Sequence, residues 1–271
     1  MGLSPAVVGG YEPWNTLGRG RMLHFGDDGD TSVEVREEGR YRWLTFSGGA
    51  PQSALDREEP GRLVFEHLHW LQGWMLFRDL PKRMLILGLG GGDLVRFALT
   101  ALPETEIVAV EWSQPVIEAA HQFFHVPRVE PRLRVVQADA FGWVEQCQER
   151  FDVVLMDLFA GDLSPVDRLS VTWLTALQTI LTPDGAVALN LIPGRAGDTQ
   201  TVARRLRIVF GGEAYTLTAP RSGNLVMLAF PWLARRAAQS MERRGKVLQV
   251  RLGIDFKAMV RRLRADNPGL S

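Results

Sequence analysis

The chain has 271 residues, 46% apolar and 23% charged, proportions that allow one large core or a main domain with a small appendage. Its 31 Lys and Arg balance its 31 Asp and Glu, so net charge makes no case for a nucleic-acid partner. The single cysteine, Cys147, excludes an intrachain disulfide; no apolar run approaches the roughly 18 to 20 residues of a membrane helix; and the first residues, MGLSPAVVGG, lack the basic start and apolar core of a secretory signal. A cytoplasmic location is expected, with no membrane partner.

Residues 1–20 carry Gly and Pro with little periodicity and read as irregular. From about Met22 to Phe46 the pattern is β-like: Thr31 to Arg36 alternates, Glu38-Gly39 turns, and Tyr41 to Phe46 resumes the alternation, a hairpin signal. Gly48 to Gln52 reads as a loop. Pro60-Gly61 opens a predicted helix running to about Phe77, with Val64, Leu68, Leu71 and Met75 on one face. Met84 to Leu87 is a buried strand that runs into Gly88, Gly90, Gly91 and Gly92, and a helical pattern starts at once with Asp93-Leu94-Val95-Arg96-Phe97. Strands follow at Glu106 to Glu111, Leu133 to Gln137, Phe151 to Asp157 and Ala186 to Leu191, with helices predicted at 114–124, 141–150 and 168–181. That alternation argues for a parallel sheet with helices on both faces. A helix at 198–210 then leads to Ala214 to Thr218, a turn at Pro220 to Asn224, and Leu225 to Phe230, a hairpin that makes the last strand antiparallel. The fold class expected is therefore α/β: a class I methyltransferase-like (Rossmann-like) sheet with an antiparallel last strand, preceded by a small N-terminal β unit. Its divisions are residues 1–60 for the β unit, 61–230 for a nucleoside-binding domain and 231–271 for a helical extension. The stretch 232–264 carries ten Lys or Arg against two Asp or Glu. It reads as a solvated helical face or as a patch for an anionic partner; Phe256, Met259, Val260 and Leu263 recur at helical spacing.

A strand feeding a glycine turn into a helix N-terminus is where α/β proteins place nucleotides or nucleosides, although the same turn also occurs without a ligand. Four acids follow the first four strands of the α/β region: Asp93, Glu111, Asp139 and Asp157. That carboxyl edge is where such sheets bind ligands. Glu111 comes 23 residues after Gly88, close to the spacing at which an acid accepts hydrogen bonds from ribose hydroxyls; alternatively it is a strand-end carboxylate facing water. Asp139 is suited either to an adenine amino group or to capping the next helix. Asp93 lies in the first turn of a helix, where the dipole already favours a carboxylate, and a cationic donor would suit it. Phosphate would be repelled there, and no P-loop lysine follows the glycines, which argues against a nucleoside triphosphate. Asp157 closes an apolar strand and is placed to act as a base or simply to cap its loop. His67, His69 and His121 have no carboxylate at metal-ligand spacing, so no metal is assigned.

The runs GLGGGDL, AVEWSQPVIEAA, VVQADAF and FDVVLMDLF together resemble the spermidine and spermine synthases, the aminopropyltransferases, over residues 22–230. The resemblance implies decarboxylated S-adenosylmethionine as co-substrate, no covalently bound cofactor, a small-molecule amine substrate and a homodimer. It implies cofactor-site roles for Gln52, Gly88 and Gly90, with Asp93 on the donor's charged chain, Glu111 on the ribose, Asp139 and Ala140 on the adenine, and Asp157 as the catalytic residue. Carboxylates fit this chemistry because the attacking amine must be neutral, and an acceptor for its proton serves as general base. Two departures stand out. The family's Asp-Ser-x-Asp is here Asp157-Leu158-Phe159-Ala160, leaving Asp162 to supply a second acid, and its Tyr-His-Glu corresponds to Val64-Phe65-Glu66 or Phe65-Glu66-His67. Three functions follow for test: aminopropyl transfer, methyl transfer from intact S-adenosylmethionine, and nucleoside binding without polyamine synthesis.

Overall fold

The alternating residues near the N-terminus build more than one hairpin. Strands β1 (Arg21–Asp27), β2 (Ser32–Glu38), β3 (Tyr41–Phe46) and β4 (Pro51–Asp56) form a four-stranded antiparallel sheet in sequential order. The computed structural model describes residues 20–27, 29, 32–46, 49–158, 165–192, 197–232 and 234–270; all but the last residue of the irregular start read over 1–20, and the candidate second acid Asp162, lie outside them. Among the described residues, 20–65 with 85–143 form one compact unit, and 66–84 with 144–270 form another.

The first unit continues from its small sheet into β5 (Arg83–Leu87) from residue 85 on, α2 (Asp93–Ala101), β6 (Glu106–Glu111), α3 (Gln114–Phe123), β7 (Leu133–Gln137) and the first residues of α4 (Ala140–Gln146), to 143; α1 belongs to the other unit. β6 and β7 pair in parallel, with Glu111 opposite Gln137. Period-2 alternation in β2 and β3 puts Val33, Val35 and Leu44 on one face. There they pack with Leu55, with Val116 and Ala119 of α3, and with Phe124. Ser113 caps α3 by accepting from Val116 N–H, and Pro115 occupies the first turn, where its missing N–H costs nothing.

The second unit contains α1 (Glu66–Leu71), followed by a 3-10 turn at Gln72–Leu76, and then β8 (Phe151–Met156), α5 (Val171–Thr179), β9 (Leu181–Leu191), α6 (Asp198–Val209), β10 (Ala214–Thr218), β11 (Leu225–Ala229), α7 (Met241–Leu252) and α8 (Phe256–Asp266). The larger sheet has seven strands in the order β10-β11-β9-β8-β5-β6-β7. β8 and β9 are parallel, and β11 runs antiparallel to both β9 and β10. The expected α/β sheet with an antiparallel last strand is present. Phe256, Met259, Val260 and Leu263 of α8 are buried, as their spacing requires. The end of that helix also closes the exposed edge of β10: Asn267 donates to Thr216 C=O at 2.6 Å and accepts from its N–H at 2.9 Å, while Asp266 accepts from Thr218 N–H at 2.8 Å. No helix among the described residues is long and apolar enough to cross a membrane.

Two readings of local structure are corrected. The stretch read as a loop through Gln52 already enters β4 at Pro51; proline is tolerated as the first residue of a strand. The helix read from Pro60 to Phe77 begins only at Glu66 and tightens to 3-10 geometry at Gln72. Gly61 lies so close to Thr100 that a Cβ there would sit 2.5 Å from its hydroxyl, so tertiary contact sets the course of residues 60–65.

Candidate active site

At the end of β5 the backbone passes through Gly88, Gly90 and Gly92 with φ of +94°, +52° and +79°. A Cβ is strained in this left-handed region, which accounts for glycine at alternate positions. The close approach that glycine permits is made by the chain itself: a Cβ on Gly90 would meet Ser53 Oγ at 2.6 Å, and one on Gly92 would meet Val126 Cγ2 at 2.2 Å. Ser53 Oγ also accepts from Gly91 N–H at 2.7 Å, tying β4 to the turn. Gly92→Ala therefore combines left-handed strain of about 1–2 kcal/mol with overpacking of about 1–3 kcal/mol. Urea unfolding is expected to show a loss of about 2–5 kcal/mol on these grounds; a loss under about 1 kcal/mol would mean that the turn relaxes freely.

Asp93 is the first residue of α2 and is buried. Its Oδ1 accepts from Ala54 N–H at 3.3 Å and lies 3.4 Å from Nη2 of Arg96, one helical turn on. Arg96 is itself only 4% exposed, and its guanidinium is surrounded by acceptors. Nε donates to Pro60 C=O at 2.9 Å; Nη1 donates to Phe124 C=O at 2.9 Å and to Gly91 C=O; Nη2 donates to Ala54 C=O at 3.5 Å besides facing Asp93. Burial pulls the guanidinium below its ordinary pKa, and the Asp93 charge opposes that pull.

Glu111, at the carboxyl end of β6, does not face water: it is 8% exposed. Oε1 accepts from Trp112 and Ser113 N–H at 2.9 and 3.1 Å, and Oε2 from Leu89 N–H at 3.1 Å, with Gly90 N–H bonded as well. Burial holds its carboxyl above the usual carboxylate range, and those backbone donors act against the shift. The carboxylate thus fastens the glycine turn to the end of β6. On the neighbouring strand, Ala138 N–H donates to Glu111 C=O at 2.9 Å. Asp139 follows, exposed, capping α4 through Gly142 N–H at 3.0 Å. Ala140 is buried. Gln52 sits half-buried on β4 next to Ser53, its amide donating to Ala50 C=O at 3.2 Å. Gln52, Gly88, Gly90, Asp93, Glu111, Asp139 and Ala140 are therefore brought together around one turn and the adjoining strand ends.

Asp157 belongs to the other unit. It follows β8, is half-buried, and its Oδ1 accepts from Asn190 Nδ2 at 2.7 Å; Asn190 Oδ1 in turn accepts from Asn224 Nδ2 at 3.0 Å. Arg96, Ser53, Asn190 and Asn224 are absent from the sequence-based site. Arg96 had a readable signal, since an acid and an arginine three apart at a helix start face each other. Asn190 had a weaker one, an amide inside an otherwise apolar strand. Trp112, half-exposed beside Glu111, adds an apolar surface at the same strand end.

Comparison with known proteins bears on this arrangement. The spermine/spermidine synthase domain family matches residues 72–191. The polyamine aminopropyltransferase of Chromobacterium violaceum is 33% identical over 239 residues, covering 87% of this chain and 90% of that protein. The chain belongs to the spermine/spermidine synthase family. Within solved structures, a probable spermidine synthase from Corynebacterium glutamicum superposes with a TM-score of 0.68 at 20% identity, over 84% of this chain and 87% of that one, a likeness of fold. Human methyltransferase-like protein 13, solved in complex with SAH, matches with a TM-score of 0.57 at 26% identity, over 66% of this chain and 90% of that one. As a spermine/spermidine synthase family member the chain is a transferase.

Proposed function

We propose that this transferase moves the aminopropyl group of decarboxylated S-adenosylmethionine to an amine such as putrescine. The observation that carries the reading is Glu111, a carboxylate buried at the end of β6 and bonded to a glycine turn that no P-loop lysine follows in the sequence. Glu111 takes the ribose hydroxyls, Asp139 and Ala140 the adenine, and Gln52 and the Gly88 and Gly90 backbone border the donor's chain, whose ammonium is held by Asp93. The amine nitrogen attacks the carbon next to the sulfonium. The C–N bond forms as the C–S bond breaks, its electron pair neutralises sulfur to give 5′-methylthioadenosine, and the ammonium proton passes to Asp157. Cytoplasmic residence and a homodimer belong to the same reading; equilibrium sedimentation checks the second.

One observation favours a second reading, methyl transfer from intact S-adenosylmethionine. A second acid beside Asp93 would reject a donor that keeps its carboxylate, whereas a cation, Arg96, lies 3.4 Å from Asp93. Calorimetric titration with both donors and with 5′-methylthioadenosine, followed by assay with putrescine and longer amines, separates the readings. Tighter binding of the decarboxylated donor and turnover with putrescine are expected. Tight binding of 5′-methylthioadenosine with no turnover on any amine would overturn aminopropyl transfer, and binding of no nucleoside would overturn the site.

The same titration has an expected pH dependence. Ribose is held best by the ionised Glu111, and burial raises its pKa above the ordinary 4.5. Affinity for 5′-methylthioadenosine should therefore begin to fall, on acidification, at a higher pH than an ordinary glutamate dictates, and Glu111→Gln should flatten the curve. A wild-type affinity unchanged down to pH 4.5 would count against Glu111 as the ribose ligand.

A further inference from the structure

The amide of Asn190 has no place in the reaction as written, yet its Nδ2 donates to the proposed base. Its side chain projects from an apolar strand, β9, and is fully buried. A buried primary amide demands partners for both ends. Here Nδ2 donates to Asp157 Oδ1 at 2.7 Å and Oδ1 accepts from Asn224 at 3.0 Å. The first bond orients the second: an ionised carboxylate only accepts, so Asn190 presents N–H to Asp157 and turns its oxygen to Asn224's donor. A reversed amide would set oxygen against oxygen at one end and N–H against N–H at the other.

Asn224 is held through its main chain. It is 5% exposed and precedes β11, and its backbone C=O accepts from Ala219 N–H across the turn at 2.9 Å. That turn is anchored by Glu66 at the start of α1, whose Oε2 accepts from the N–H groups of Arg221 and Ser222 at 3.0 and 2.9 Å while Oε1 pairs with Arg221 Nε at 3.1 Å. A continuous line of hydrogen bonds and backbone thus runs from Glu66 through the β10–β11 turn to Asn224, Asn190 and Asp157.

We infer that Asn190, held by Asn224, is a positioning residue that sets the plane of the Asp157 carboxylate for proton acceptance from the amine. An amide suits this task because it donates to the ionised oxygen without carrying a charge that would repel a cationic substrate. It engages one oxygen and leaves the other to the amine. The inference rests on the aminopropyl-transfer reading with Asp157 as base.

Steady-state kinetics of Asn190→Ala, Asn224→Ala and the double variant, with thermal melts alongside, test it. Misplacing a reacting group by about 1 Å costs up to about 100-fold. N190A is expected to lower kcat by about 10- to 100-fold, and N224A by less, with KM for both donor and amine within about twofold of the parent if only transition-state geometry is lost. Because the two amides act in series, N190A/N224A should turn over no more slowly than N190A. N224A keeps the test open should N190A fail to fold. Parental kcat in folded N190A or N224A, with only the melting temperature lowered, would overturn the positioning role. Asp157→Asn distinguishes this from failure of the underlying reading: full activity in D157N removes the base itself, whereas loss in D157N with parental kcat in both amide variants removes only Asn190's part.

Discussion

Asp157→Asn should abolish most aminopropyl transfer while leaving nucleoside binding intact. The substitution is isosteric, and the new amide oxygen can still accept from Asn190 Nδ2 at the 2.7 Å position, so the fold loses little. What it loses is the capacity to take a proton. General-base assistance is worth about 10²- to 10⁴-fold, which corresponds to about 2.7–5.4 kcal/mol of barrier. The kinetic signature is a fall in kcat and kcat/KM together, with 5′-methylthioadenosine binding unchanged by calorimetry, because only the transition state uses the base. More than a tenth of parental activity in D157N would shift the base role to another group. The absence of an acid at residues 158–160 makes this result more informative: if Asp157 works without the family's second carboxylate, the acceptor's far end must be held by other means, and longer or less charged amines become the substrates to try first.

The second large effect concerns stability. Arg96→Met should destabilise the protein by about 3–5 kcal/mol, the cost of breaking a buried ion pair from one side. Methionine matches the bulk of the arginine stem but offers no donor, leaving the carbonyls of Pro60, Gly91, Ala54 and Phe124 without their N–H partner and Asp93 as a buried charge beside an apolar chain. At about 2–4 °C per kcal/mol for a chain of this size, the melting temperature should drop by about 6–20 °C. Lysine should not rescue it, since three donors on one nitrogen cannot span acceptors on several segments. Adding Asp93→Asn to R96M should restore part of the loss by removing the uncompensated charge. An R96M variant within about 1 kcal/mol of the parent by urea unfolding would show that the guanidinium is a passenger.

The parts of this protein that were legible in its sequence are those where one physical demand leaves few residue types. Glycine is the residue least strained at the positive φ of positions 88, 90 and 92, so the turn announced itself. The apolar runs of β5, β6 and β8 could be little else than buried strands, and the β10–β11 turn signalled an antiparallel close. β4 was hidden because Gly49-Ala50-Pro51 is turn punctuation, and nothing local reports that the following residues pair with β3. The helix read from Pro60 was too long because periodicity is blind to the packing of Gly61 on Thr100. At the site, acids at strand ends were visible from their spacing, but their partners were not. Asn190 carries its meaning only through two contacts to segments 33 and 34 residues away in sequence, and no pattern within a strand encodes those.

The Arg96 cluster also bears on how the chain can be shortened. Two of its acceptors, the carbonyls of Ala54 and Pro60, come from the segment that closes the N-terminal sheet, and a third, that of Phe124, follows α3. A protein trimmed to begin at residue 61 would keep every glycine of the turn and both carboxylates beside it. It would nonetheless carry a buried guanidinium stripped of two carbonyls and an Asp93 stripped of the Ala54 N–H. The glycine turn is thus not a portable βα cassette that can be cut out and grafted: it is assembled from three stretches of chain that must arrive together.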